Sequence, residues 1–152
     1  MSASRQQGLS LIELMVVVSI LGILAGVGYP SYMDHVTRGR VMEGTSTLAD
    51  LRVRLEQFYQ DNRIYGSGSC GNDGTTQRVA FPDTKYFTYS CALGTGGQSY
   101  TITAASRAAT SGGANGDWSY TIDNQNQRAT TKFKGASSSA TCWQVKKGEA
   151  CS

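Results

Sequence analysis

An uninterrupted apolar run near the N-terminus, GLSLIELMVVVSILGILAGVGYP over residues 8–30, constrains this 152-residue chain more than anything else in it. Between Leu9 and Tyr29 the run holds one ionisable side chain, Glu13. About 20 such residues, rising roughly 1.5 Å each, span the hydrocarbon core of a bilayer as a helix. The run follows eight residues, MSASRQQG, that carry one arginine and no apolar core of their own. A secretory signal peptide has its small-residue cleavage site after the apolar region. Here the small residue, Gly8, stands before it, so the helix is expected to stay with the mature protein.

Glu13 is costly in that setting. A carboxylate at the centre of a membrane helix is disfavoured by about 3 kcal/mol, and a charge kept there asks for a partner. With Leu9 as a new N-terminus, Glu13 lies about 6 Å along the helix from it, near the headgroups, where the cost shrinks. Gly8 followed by LSLIELMVVVSILGILAGVGYPSY resembles the class III signal and N-terminal helix of type IV pilins and pseudopilins, near-continuously over residues 6–32. The resemblance implies that a prepilin peptidase cuts between Gly8 and Leu9 and N-methylates Leu9. Most members carry Phe or Met at that first mature position, and this chain carries Leu. It further implies that Glu13 meets the free amine of a neighbouring subunit's Leu9 during assembly. The partners implied are other pilin subunits in a helical filament, the peptidase, the inner membrane and an assembly platform within it.

The remainder is polar. Net charge is +3 from 14 Lys and Arg against 11 Asp and Glu, and loss of Arg5 with the leader lowers it to +2, so the mature chain is not strongly basic. With 18 glycines, and with much of its apolar content in residues 9–30, the rest suits an extracellular sheet with long loops. Four cysteines, Cys70, Cys91, Cys142 and Cys151, allow three connectivities. They lack CxxC spacing and the single histidine, His35, is remote, which disfavours zinc and points to two disulfides in an oxidising compartment. Oxidation places residues 31 onward in the periplasm or outside, with the leader in the cytoplasm. The closing pair, Cys142 with Cys151, resembles the C-terminal disulfide loop of pilins, which leaves Cys70 for Cys91.

Past Pro30 the pattern turns amphipathic. Val41, Thr45, Leu48, Leu51, Leu55 and Phe58 recur every three or four residues, with Arg38, Arg40, Glu43, Asp50, Arg52, Arg54 and Glu56 on most other faces. This predicts one helix from Leu9 to Asn62, bent where Pro30 removes the hydrogen bond to Gly26. Tyr65 to Gln77 is a glycine-rich loop in which Asn72 and Asp73, with Asp83 beyond it, offer calcium-type oxygens, but without EF-hand spacing. Four strands follow, Lys85 to Ala92, Gln98 to Ala105, Trp118 to Asp123 and Arg128 to Lys134, with period-two alternation clearest in the middle two. Short glycine-rich links favour a meander. The expected fold is α+β, a long N-terminal helix on a four-stranded antiparallel sheet, with leader 1–8, membrane or fibre-core helix 9–30 and head 31–152. The pilin resemblance implies the same fold.

One histidine, no nucleophile elbow and no phosphate-cradling GxxxxGK motif argue against an enzyme. The C-terminal stretch GASSSATCWQVKKGEACS brings Trp143, Lys146 and Lys147 together in sequence, with Arg128, Lys132 and Lys134 just upstream. Phosphate neutralisation plus base stacking is how DNA is bound without sequence preference. The alternative is a solvated surface with Trp143 packed under the loop, and a mature charge of +2 predicts little duplex binding at physiological salt. Three roles fit the resemblance: a structural subunit of a type IV pilus, most like a minor pilin, a DNA-binding competence pilin, and a type II secretion pseudopilin.

Overall fold

The computed structural model describes residues 10–111 and 113–146. Gly8 and Leu9, the expected cleavage and methylation site, lie outside them, as do Lys147 and Cys151. Helix α1 runs Leu11–Asn62 and is followed by strands β1 Phe87–Leu93, β2 Tyr100–Ser106, β3 Ser119–Asp123, β4 Arg128–Phe133 and β5 Ala136–Ala140. The chain divides into two compact units between Val36 and Thr37.

In the first unit every side chain from Leu11 to Tyr32 is exposed, and among the described residues α1 is the one helix long and apolar enough to cross a membrane. Glu13 sits in its first turn. The Ser19 hydroxyl donates to the Met15 carbonyl at 2.8 Å, so this polar group is satisfied within the helix, as an apolar solvent requires. Pro30 lies inside α1, which continues through it, and lacking an N–H it leaves the Gly26 carbonyl without its helical donor.

In the second unit α1 buries Thr37, Val41, Gly44, Thr45, Leu48, Leu51, Leu55 and Phe58, the predicted stripe with Thr37 and Gly44 added. The stripe packs on the inward side chains of the sheet, Phe87 and Tyr89 from β1, Tyr100, Ile102 and Ala104 from β2, and Tyr120 and Ile122 from β3. All four pairings are antiparallel in the order β1-β2-β3-β4-β5, the expected meander. The register sets Ile102 opposite Ile122 and Ala104 opposite Tyr120, so apolar residues share the inner face.

The sheet has five strands, not the four expected. The fifth, ASSSA, has neither apolar alternation nor strand-forming residues. It forms because Lys134 and Gly135, with φ 51° and 81°, make a two-residue turn that sets Phe133 opposite Ala136. Positive φ at both central positions matches the twist of a hairpin.

Between helix and sheet, residues 63–86 are irregular but tied down. Cys70 and Cys91 form the expected disulfide, joining this loop to β1 across 21 residues and stabilising the head by roughly 2–4 kcal/mol. Tyr65 stacks on Tyr59 at 4.5 Å and meets Tyr100 edge-on at 4.6 Å. The Tyr65 and Tyr100 hydroxyls both donate to the Glu56 carboxylate, at 3.1 and 3.0 Å, so one side chain of α1 fastens loop and sheet. Burial, reinforced by Glu56, pushes the Tyr65 hydroxyl up to about 12. The oxygens considered for calcium are engaged elsewhere. Asp73 accepts from Thr75, Thr76 and Arg78, which hold its carboxyl well below the usual range, with the Thr75 hydroxyl the largest cause. Asn72 accepts from Gly74, and Asp83 pairs with Arg107 at 3.1 Å.

Candidate nucleic-acid interface

The C-terminal segment reaches its place through the backbone. Thr130 donates its hydroxyl to the Cys142 carbonyl at 2.6 Å and accepts from the Gln144 N–H at 2.9 Å, while Tyr120 donates to the Gln144 carbonyl at 2.8 Å. Residues 142–144 are thereby laced to β3 and β4. The alternating pattern that turns Tyr120 and Thr130 inward supplies these anchors.

That lacing fixes Trp143. Its indole N–H donates to the Thr121 carbonyl at 2.9 Å, and the Arg128 guanidinium lies 4.7 Å from its ring centroid. A cation over an indole face gains about 0.5–1 kcal/mol at an exposed site. Beside them opens a groove of about 990 Å³, lined by Arg128, Trp143, Asn126 and Gln127 among others. Trp143 packs against the core, as the solvated-surface alternative expected, and it also lines the groove.

The two arginines that face aromatic rings in this head differ in use. Arg40 lies 4.9 Å from the Tyr86 centroid and spends Nη1 on the Ala109 and Thr110 carbonyls, at 2.9 Å each. The Arg128 side chain donates no hydrogen bond and forms no ion pair among the described residues, its one contact of note being the Trp143 ring. Lys132 and Lys146 are exposed and likewise form no ion pair among those residues. Lys134 is exposed in the β4–β5 turn. None of these lysines lines the groove, so the structure joins Arg128 to Trp143 and leaves the lysines around that pair in sequence. Sequence reasoning missed the β3–β4 turn, residues 124–127, whose signal was a run of alternating Asn and Gln directly before Arg128.

Cys142 is not a free cysteine, but its expected partner Cys151 lies outside the described residues. Among the described residues no cluster of His, Cys, Asp and Glu could hold a metal ion.

Comparison with known proteins places these features. Residues 3–29 match the prokaryotic N-terminal methylation motif, and residues 30–145 match the family described as type IV minor pilin ComP, DNA uptake sequence receptor. A fimbrial protein of Dichelobacter nodosus is 42% identical over 78 residues, covering 47% of this chain and 49% of that protein. A type IV major fimbrial protein FimA from the same organism is 36% identical over 91 residues, covering 55% and 56%. The chain thus spans about half the length of the curated relatives it matches. A solved type IV pilin from Shewanella oneidensis superposes with a TM-score of 0.47 at 16% identity, over 60% of this chain and 89% of that one. A methylation motif leading into one apolar helix marks a precursor of the inner membrane that passes into the fimbrium. With its motif, helix and head all accounted for, the chain belongs to the type IV pilins, in the family of the minor pilin ComP.

Proposed function

We propose that this chain is a minor subunit of a type IV pilus whose head captures duplex DNA at the Arg128–Trp143 end of the sheet. One observation carries the reading: a guanidinium held over an indole with its donors unspent, at the edge of an open groove. The description of the matching family supports it. Modest net charge does not oppose it, because the cations are concentrated. Arg128, Lys132, Lys134 and Lys146 lie within 19 residues that hold no Asp or Glu. The N-terminal helix serves delivery: cleavage after Gly8 frees the Leu9 amine for methylation and for pairing with Glu13 of an adjacent subunit.

The test is fluorescence anisotropy of the full chain in detergent with labelled duplex at two salt concentrations. Each phosphate neutralised steepens the dependence of log K on log salt by about 0.9. Changing Lys132 and Lys146 together to Ala is expected to weaken binding and to lower the slope by about two. No binding at low salt, or an unchanged slope, would refute the assignment. The relatives named major fimbrial proteins favour a second reading, a bulk fibre subunit without DNA contact, for which neither effect is expected.

A further inference from the structure

We propose that Arg40, Lys85 and Arg107, gathered around Tyr86 just before β1, form a docking surface for the headgroups of anionic lipids, which holds the head against the inner membrane until the chain enters a fibre. None of these residues lines the groove beside Trp143, so the reading is independent of duplex capture.

The patch is built by backbone contacts that the sequence does not announce. The Tyr86 carbonyl accepts from the Arg107 N–H at 2.8 Å and from the Thr110 hydroxyl at 2.6 Å, which draws residues 107–110 onto the start of β1. Arg40 reaches the same place from α1. Its Nη1 donates to the Ala109 and Thr110 carbonyls at 2.9 Å each, and its guanidinium lies 4.9 Å from the Tyr86 ring centroid. Lys85 brings a second cation to that ring, with Nζ 5.4 Å from the centroid. Arg107 adds a third, its side chain 40% exposed.

These charges are poorly compensated. Two cations at one ring repel each other, and the ring's quadrupole offsets that only in part. Asp83 pairs with Arg107 at 3.1 Å, yet the Arg107 Nε is buried with no hydrogen-bond partner among the described residues. Lys85 is exposed and forms no ion pair among those residues. Arg40 therefore supplies fixed charge and shape, while Lys85 and Arg107 are the side chains placed to meet an anion.

The course of the chain decides which anion. The exposed apolar part of α1 extends to Tyr32, and Arg40 follows it by eight residues. Eight residues cover about 12 Å as helix and less than about 30 Å fully extended. The covalent connection alone thus keeps the patch within reach of the headgroups and raises their effective concentration, an advantage that no soluble anion has. The chemistry fits as well. Tyrosine with Lys and Arg is the composition of a membrane-interface anchor, and each cation near an anionic bilayer surface strengthens adhesion about fivefold.

The test uses the full chain in nanodiscs of phosphatidylcholine, with and without phosphatidylglycerol. A brief pulse of an amine-acetylating ester is followed by mass spectrometry, which reads modification of Lys85 relative to Lys132, an exposed lysine on β4. With phosphatidylglycerol the Lys85 to Lys132 ratio is expected to fall about fivefold or more, and to recover in about 0.5 M salt. Arg107→Gln removes one contacting cation and is expected to abolish most of that fall. A ratio that holds within about twofold between the two lipids, that falls but persists at high salt, or that rises because Lys132 is the shielded side chain would overturn the proposal. Equal protection by inorganic phosphate over phosphatidylcholine alone would also overturn it, by assigning the patch to free anions.

Discussion

At Gly44, α1 packs tightly against the Phe87 ring of β1. A Cβ built there would lie 2.7 Å from two carbons of the buried Phe87 ring, and the Gly44 carbonyl accepts from the Tyr89 hydroxyl at 3.3 Å. Two effects of Gly44→Ala oppose one another. Alanine is the better helix former by up to about 1 kcal/mol, whereas forcing a methyl into a packed core costs about 1–3 kcal/mol. Phe87 is fully buried and has nowhere to swing, so the clash wins. Gly44→Ala is expected to destabilise the head by about 1–2 kcal/mol, read as a lower denaturation midpoint in detergent, and an unchanged or raised midpoint would contradict this packing account. Residue chemistry also separates the two stacked arginines, since partners close by decide which fork is structural and which is available.

At the scale of elements, α1 is one helix with two solvents. Its first unit has no buried face and its second buries a stripe at spacings of three and four, so apolar content and periodicity identified both parts from the sequence. Strands β1 to β4 were legible within a few residues for the same reason, as alternation writes the inner face directly. β5 was not legible, because Ser and Ala carry no pattern and its turn is Lys-Gly where Asn-Gly or Asp-Gly is the usual signal. The proposed interface was legible only in its residue types. Trp143 stood out with Lys146 and Lys147, and Arg128 only as one of the cations upstream, because no spacing rule shows that Thr130 and Tyr120 would hold residues 142–144 and so bring Arg128 and Trp143 together. Glu13 belongs to this scale too, because an unpaired carboxylate in the apolar part of a helix is tolerated only with a partner. Glu13→Ala is expected to be cut and retained in the inner membrane but missing from sheared pili. Equal recovery of mutant and unaltered chain in the pilus fraction would contradict the pairing with Leu9.

At the scale of the whole molecule, the two units divide the work. The N-terminal unit supplies the apolar helix, for which we propose the assembly role, and the head supplies a disulfide-braced sheet whose β3–β4 end carries the only arginine stacked on a tryptophan among the described residues. A minor subunit needs few copies to act as a receptor, and its loss should leave the fibre standing, whereas loss of a bulk subunit removes the fibre. The most direct measurement follows uptake of labelled duplex, alongside pilus counts by electron microscopy, in cells deleted for this chain and in the same cells with it restored. The account predicts that deletion abolishes uptake, leaves pilus numbers unchanged, and is reversed by the restored chain; disappearance of the pili, or uptake continuing at the undeleted rate, would contradict it.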